Sequence, residues 1–286
     1  MNTYLDSRII ILNSAHGLYY NGTYKSDIEF QFNGLLKQED DIQQVQISLV
    51  NAQFAVSWYI INYSNNVFKI QLGNNNTQYY YIQVGNYNAN TLISALNALI
   101  NDSYFSITIR KITGKLTFSY NTSFIIYTDN NYSICGILGF DLNTIYNSSG
   151  ILLCPYPLNL LGYKRLEIYT QQLQTKNYSS LNNGMCTLLC AIPIDQPAFG
   201  LITFNNFTDT KNIINNKTLD KIEIIIKGED ENLINFNNID WTIKLKLDIT
   251  RKYNISDNIP NENKKDIKKF KFEDIIKNDL DLLTHK

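Results

Sequence analysis

The stretch WTIKLKLDIT, residues 241–250, alternates apolar and polar side chains. Ile243, Leu245, Leu247 and Ile249 share one face, and Lys244, Lys246 and Asp248 share the other, the period of a strand with one side in a core and one in water. A helix cannot use this pattern, because its apolar stripe repeats near every 3.6 residues. DIEFQF repeats the alternation with Ile28, Phe30 and Phe32, and VQISL with Val45, Ile47 and Leu49. Strands with one wet face build antiparallel sheets, so the chain is expected to be mainly β.

Further strands are expected at 68–72, 79–84, 105–110, 116–120, 165–170, 187–192, 201–204 and 221–227. An aromatic fraction of 13%, with 20 Tyr and 14 Phe, agrees with this, since these residues favour strands. Thr113-Gly114-Lys115 and Gly228-Glu229-Asp230 read as turns that close hairpins. Helices are few. The best spans 90–100, with Asn90 as its cap and Leu92, Ile93, Leu96, Leu99 and Ile100 as its apolar stripe. A shorter one is expected at 133–138. Both fall within residues 61–150, which read as a small α+β domain inserted into a β-sandwich built from 1–60 and 151–252.

Beyond Arg251 the alternation stops, charge rises and Pro260 breaks the chain. Residues 253–286 read as a charged tail. Within it Phe270, Phe272, Ile275, Ile276, Leu280 and Leu283 form a candidate partner-docking segment that folds on a partner. A solvated, frayed tail is the alternative.

Chemistry is sparse. A net charge of −1 gives no global electrostatic attraction for nucleic acid. The apolar run Ile9 to Leu12 is too short for a signal-peptide core, and no segment approaches the roughly 20 apolar residues of a membrane helix, so the chain is expected to be made and kept inside a cell. The Asn-x-Ser/Thr sequons follow from abundant Asn. Residues 79–102 read as strand, Gly85 and helix, but one glycine and no lysine make neither a dinucleotide fingerprint nor a P-loop. Gly85 is expected only to turn the chain.

His16 and His285 are the only histidines. Ser14 lies two residues from His16, yet nothing announces the orienting acid or oxyanion site a Ser–His pair needs. Cysteines 135, 154, 186 and 190 read as reduced, buried thiols. Cys186 and Cys190, four apart on one expected strand, would be roughly 13 Å apart and could not share a metal ion. Gly228 to Asn232, GEDEN, lacks the ligand spacing of a calcium loop. No catalytic, cofactor-binding or metal-binding residue is expected, and the chain is expected not to be an enzyme.

The order of segments adds a resemblance. DSRIIILNSAHGLYYNGTYKSDIEFQF, VQISLVNAQFAVSWYIINYSNNVFKI, IQVGNYNANTLISALNALI, ITGKLTF, GILGFD and IDWTIKLKLDI follow one another. In that order they resemble the penton-type minor capsid proteins of giant viruses, virophages and polinton-like elements, over most of residues 6–250. The family often carries a proline ahead of its aromatic-Asn stretch, and residues 52–56 contain none.

The resemblance implies an antiparallel jelly-roll sandwich and a structural subunit. It implies a homopentamer at the five-fold vertices of an icosahedral capsid, surrounded by double jelly-roll major capsid proteins, assembled inside the host cell. Other minor capsid proteins or a vertex spike are further expected partners. A head-to-tail ring requires two different lateral faces, each with apolar patches. The alternative is a jelly-roll carbohydrate-binding or host-attachment module, which needs an exposed aromatic platform beside polar groups. Clustered, solvent-reachable carboxylates would instead indicate a hydrolase.

Overall fold

A computed structural model describes residues 2–19, 24–174, 177–179, 184–208, 210–214 and 216–253. Among the described residues eight long strands build its larger unit: β1 (Asn2–Asn13), β2 (Asp27–Leu36), β3 (Ile42–Ala55), β4 (Arg165–Tyr169), β5 (Leu188–Pro193), β6 (Leu201–Asn205), β7 (Leu219–Lys227) and β8 (Thr242–Tyr253), with the two-residue strands Leu18–Tyr19 and Asn212–Ile213 added beside β2 and β3. All pairings among them are antiparallel, in two sheets ordered β1-β8-β3-β6 and β5-β4-β7-β2. The first strand therefore pairs with the eighth, the second with the seventh, the third with the sixth and the fourth with the fifth. This is a long hairpin rolled into a double sheet, the jelly-roll strand order.

The alternation that marks β8 works as its chemistry requires. Ile243, Leu245, Leu247 and Ile249 are buried, and they meet Phe54, Phe236 and Trp241 in one core that takes residues from both sheets. Phe30 packs edge-on against Trp241 at 6.0 Å between ring centres, and Phe54 stacks on Phe236 at 5.9 Å. On its other face Asp248 departs from the simple pattern: it points away from this core yet is only 2% exposed. β3 runs unbroken through residues 52–55, where no proline interrupts it.

Between β3 and β4 lies a second core of its own, from Ile61 to Cys154, with Leu158 and Leu160 packed against it. One sheet in this part orders Ile145–Ser148, Phe124–Tyr127, Val67–Leu72 and Gln78–Tyr81, and another orders Ile151–Pro157, Lys115–Ser119 and Ser106–Ile109. Helix α1 (Ala89–Ile100) buries Leu92, Leu96 and Ile100. Helix α2 (Cys135–Leu138) is a single turn closed by Gly139 at φ 92°.

Four features differ from the sequence reading. The strand Ile151–Pro157, assigned there to the sandwich from residue 151, pairs with Lys115–Ser119 and sends Cys154 into the second core. Alternation tells that a strand is half buried but not against which sheet. The α1 cap is Asn88, not Asn90: the Asn88 side chain accepts from Thr91 N–H while the Thr91 hydroxyl accepts from Asn88 N–H. Gly85 forms a two-way bridge with Ile61 rather than a bare turn. Residues 2–13, read mainly as a short apolar run, form a full edge strand.

Candidate assembly surface

β1 and β6 are the two ends of one sheet. An end strand presents unpaired backbone groups, and proteins usually guard it with charge, proline or a bulge. β1 instead carries an apolar outer face: Leu5, Ile9 and Ile11 are 54%, 56% and 64% exposed, while Ile10 and Leu12 enter the core. Both faces of the RIIIL segment are therefore apolar. Four consecutive apolar residues break the period of two, and that break is the available signal for a strand with two apolar faces.

The opposite end differs in chemistry. Leu201 on β6 is 57% exposed, and Phe199 and Phe207, just before and after the strand, are 76% and 93% exposed. Phe199 sits at φ 67°, a left-handed conformation costing about 1–2 kcal/mol for a residue with a Cβ. Its N–H donates to Val56 O at 2.8 Å, and Gly200 N–H closes a tight turn onto Pro197 O at 2.9 Å. Such strain persists only where the surrounding structure holds it.

Ionic contacts flank the β1 rim. Ser7 donates to Asp248 Oδ1 at 2.6 Å, with Lys246 Nζ 3.2 Å from Oδ1 and Lys211 Nζ 3.0 Å from Oδ2. Burial alone would raise this carboxyl's pKa, but the hydrogen bonds from Ser7, Lys211 and Lys246 outweigh it and hold the group below its usual range. Arg251, 6% exposed, bonds Glu39 and both oxygens of Asp41, and lies 3.6 Å from Asp6 on β1. Its pKa rises, first through Glu39 and then through Asp41, so it stays charged.

The residues weighed for chemistry take structural places. Ser14 donates to Asp240 at 2.7 Å and accepts from Trp241 N–H at 3.0 Å, which ties it to the start of β8, while His16 is exposed. Cys135 and Cys154 are buried, and burial pushes both thiols up to about 12. Cys186 and Cys190 are only half-buried, a correction to their reading as core thiols, and they lie on two strands, Gly184–Cys186 and β5. Residues 228–232 form a tight turn in which Gly228 and Asn232 are hydrogen-bonded. Among the described residues no group of three or more His, Cys, Asp or Glu could hold a metal ion. Phe270, Phe272, Ile275, Ile276, Leu280 and Leu283 lie outside the described residues.

No protein-family model matches the chain, and no curated protein matches its sequence. Among solved structures, it is similar to the crystal structure of the mavirus penton protein, at 9% identity and a TM-score of 0.45, covering 88% of this chain and 100% of that one. It is also similar to the cryo-EM structure of the Sputnik virophage, at 10% identity and a TM-score of 0.42, covering 86% of this chain and 98% of that one.

Proposed function

We propose that the chain is a structural subunit of an icosahedral virus capsid, closing as a homopentamer at the five-fold vertices among double jelly-roll major capsid proteins. It acts by shape rather than by reaction. The observation that carries this reading is the pair of unlike apolar rims at the two ends of one sheet, Leu5, Ile9 and Ile11 on β1 and Phe199 and Leu201 at β6. A ring with five-fold symmetry needs two different, complementary surfaces on every copy, since a self-complementary patch stops at a dimer. Jelly-roll topology alone would not license a function. The ordered motifs from residue 6 to 250 supply the rest of the support.

In this reading the part with its own core, from about residue 61 to 160, is an inserted α+β domain carried by the sandwich. The segment 253–286, with its apolar residues 270–283, is a tether to neighbouring minor capsid proteins, a vertex spike or an inner layer. The subunit is made inside the host cell and resides in the virion.

Native mass determination of the purified full chain tests the assembly, and imaging of virions tests the placement. A species of five copies, with density on the five-fold axis, is expected. A monomer at every concentration, or density away from that axis, overturns the reading.

A further inference from the structure

Where the sandwich meets the second core, the surface opens into a cleft of about 1300 Å³. Ligand pockets commonly occupy about 300–1,000 Å³, so this one has room for a ligand of several rings. Its walls come from five distant stretches of chain. Asp27 stands at the start of β2, Trp58 just after β3, and Tyr81 and Tyr132 on the surface of the part that holds the second core, with Lys227 at the end of β7.

The lining is unlike the rims. Tyr63, Tyr81 and Tyr132 are 80%, 66% and 56% exposed, so rigid aromatic faces stand open beside the cleft. Tyrosine offers contact area at small conformational cost and a polar tip for hydroxyls. Amides interleave with them, and the loops hold these amides in place. Asn62 Oδ1 accepts from Ser64 N–H at 2.8 Å, and Asn235 Oδ1 accepts from Asn237 N–H at 2.9 Å. Each oxygen is engaged locally, and among the described residues nothing takes the side-chain NH₂ of Asn235, a donor for a ligand.

A second observation points to what fills the cleft. Asp27 Oδ1 is buried without a hydrogen-bond partner among the described residues. Leaving a buried acceptor unmet costs about 1–3 kcal/mol, and a small turn about the side chain's soft terminal torsion would let a ligand hydroxyl meet it. Charge selects among ligands: among the described residues, the charged groups lining the cleft are the carboxylates of Asp27 and Glu231 and the ammonium of Lys227. A phosphate or an acidic sugar would meet more negative than positive charge here. Stacking faces, fixed amides and an unmet carboxylate oxygen together match the C–H faces and hydroxyls of a carbohydrate.

We infer that this cleft is a binding site for an uncharged glycan, separate from the rims and independent of ring closure. The full-length protein is tested on an array of neutral hexose and N-acetylhexosamine oligosaccharides printed beside sialylated and sulfated ones, with titration of the best neutral oligosaccharide. Native mass determination runs in parallel, so that loss of assembly and loss of glycan binding are read apart.

Binding to neutral glycans is expected, weakened about tenfold by Tyr63→Ala and by Tyr81→Ala, the scale of one aromatic contact. Both residues are exposed, so neither change disturbs a core. Asp27→Asn is expected to weaken binding at least as much, because it replaces a charged acceptor. No neutral glycan bound, preference for acidic glycans, or binding unchanged in both tyrosine variants would overturn the inference.

Discussion

Asp248 illustrates how much a single residue's surroundings decide. The alternation of β8 places it on the wet face, and it is on that face, but Ser7 from β1 and two lysines close over it. Its folded pKa is depressed, so its contribution is present above the unfolded value, about 3.9, and is lost as pH falls through the lower folded value. Asp248→Asn is therefore expected to cost about 2 kcal/mol at pH 7. That is less than the 3–5 typical of breaking a fully buried pair, because Lys211 and Lys246 side chains are 25% and 34% exposed and regain water. Urea unfolding of the two proteins checks this: the gap should shrink steadily below about pH 4, and a gap constant across pH would show that the charge is irrelevant.

At the scale of elements, helix α1 separates what sequence pattern can and cannot locate. Its apolar repeat at Leu92, Leu96 and Ile100 is visible because it is periodic, and all three are buried. Its start is ambiguous because NYNAN offers Asn86, Asn88 and Asn90 within five residues, each a competent cap in isolation. Asn86 is occupied elsewhere, accepting from Ile60 N–H at 2.8 Å, which leaves Asn88 to make the reciprocal pair with Thr91. Asn88→Ala should thus lower stability by about 1 kcal/mol and Asn90→Ala by a few tenths, measured by thermal unfolding. Equal effects would mean that the capping box contributes nothing. The strand Ile151–Pro157 was misassigned for a related reason: local pattern reports burial, whereas its partner Lys115–Ser119 lies more than thirty residues away. The glycan cleft was still less legible, since Asp27, Trp58, Tyr132 and Lys227 share no local pattern and only the fold brings them to one place.

For the whole molecule, the decisive property is that its two sheet ends are not alike. β1 offers branched aliphatic side chains on a long strand, and β6 offers a leucine flanked by phenylalanines. Each end can then be disabled separately. Ile9→Thr with Ile11→Thr keeps β propensity and removes apolar area worth about 1.5–3 kcal/mol per side chain when fully buried, while Leu201→Thr with Phe199→Gly treats the other end. Under head-to-tail association each double variant alone should stay monomeric, because every contact needs one intact copy of each rim. Mixed in equal amounts, the two should form heterodimers and stop there, since the dimer retains one good contact and two dead ends. Self-complementary association predicts otherwise: one variant would assemble as well as the unaltered chain and mixing would change nothing. Native mass determination of the mixture therefore distinguishes a ring-forming subunit from a dimer through the pattern of species and not merely through loss of assembly.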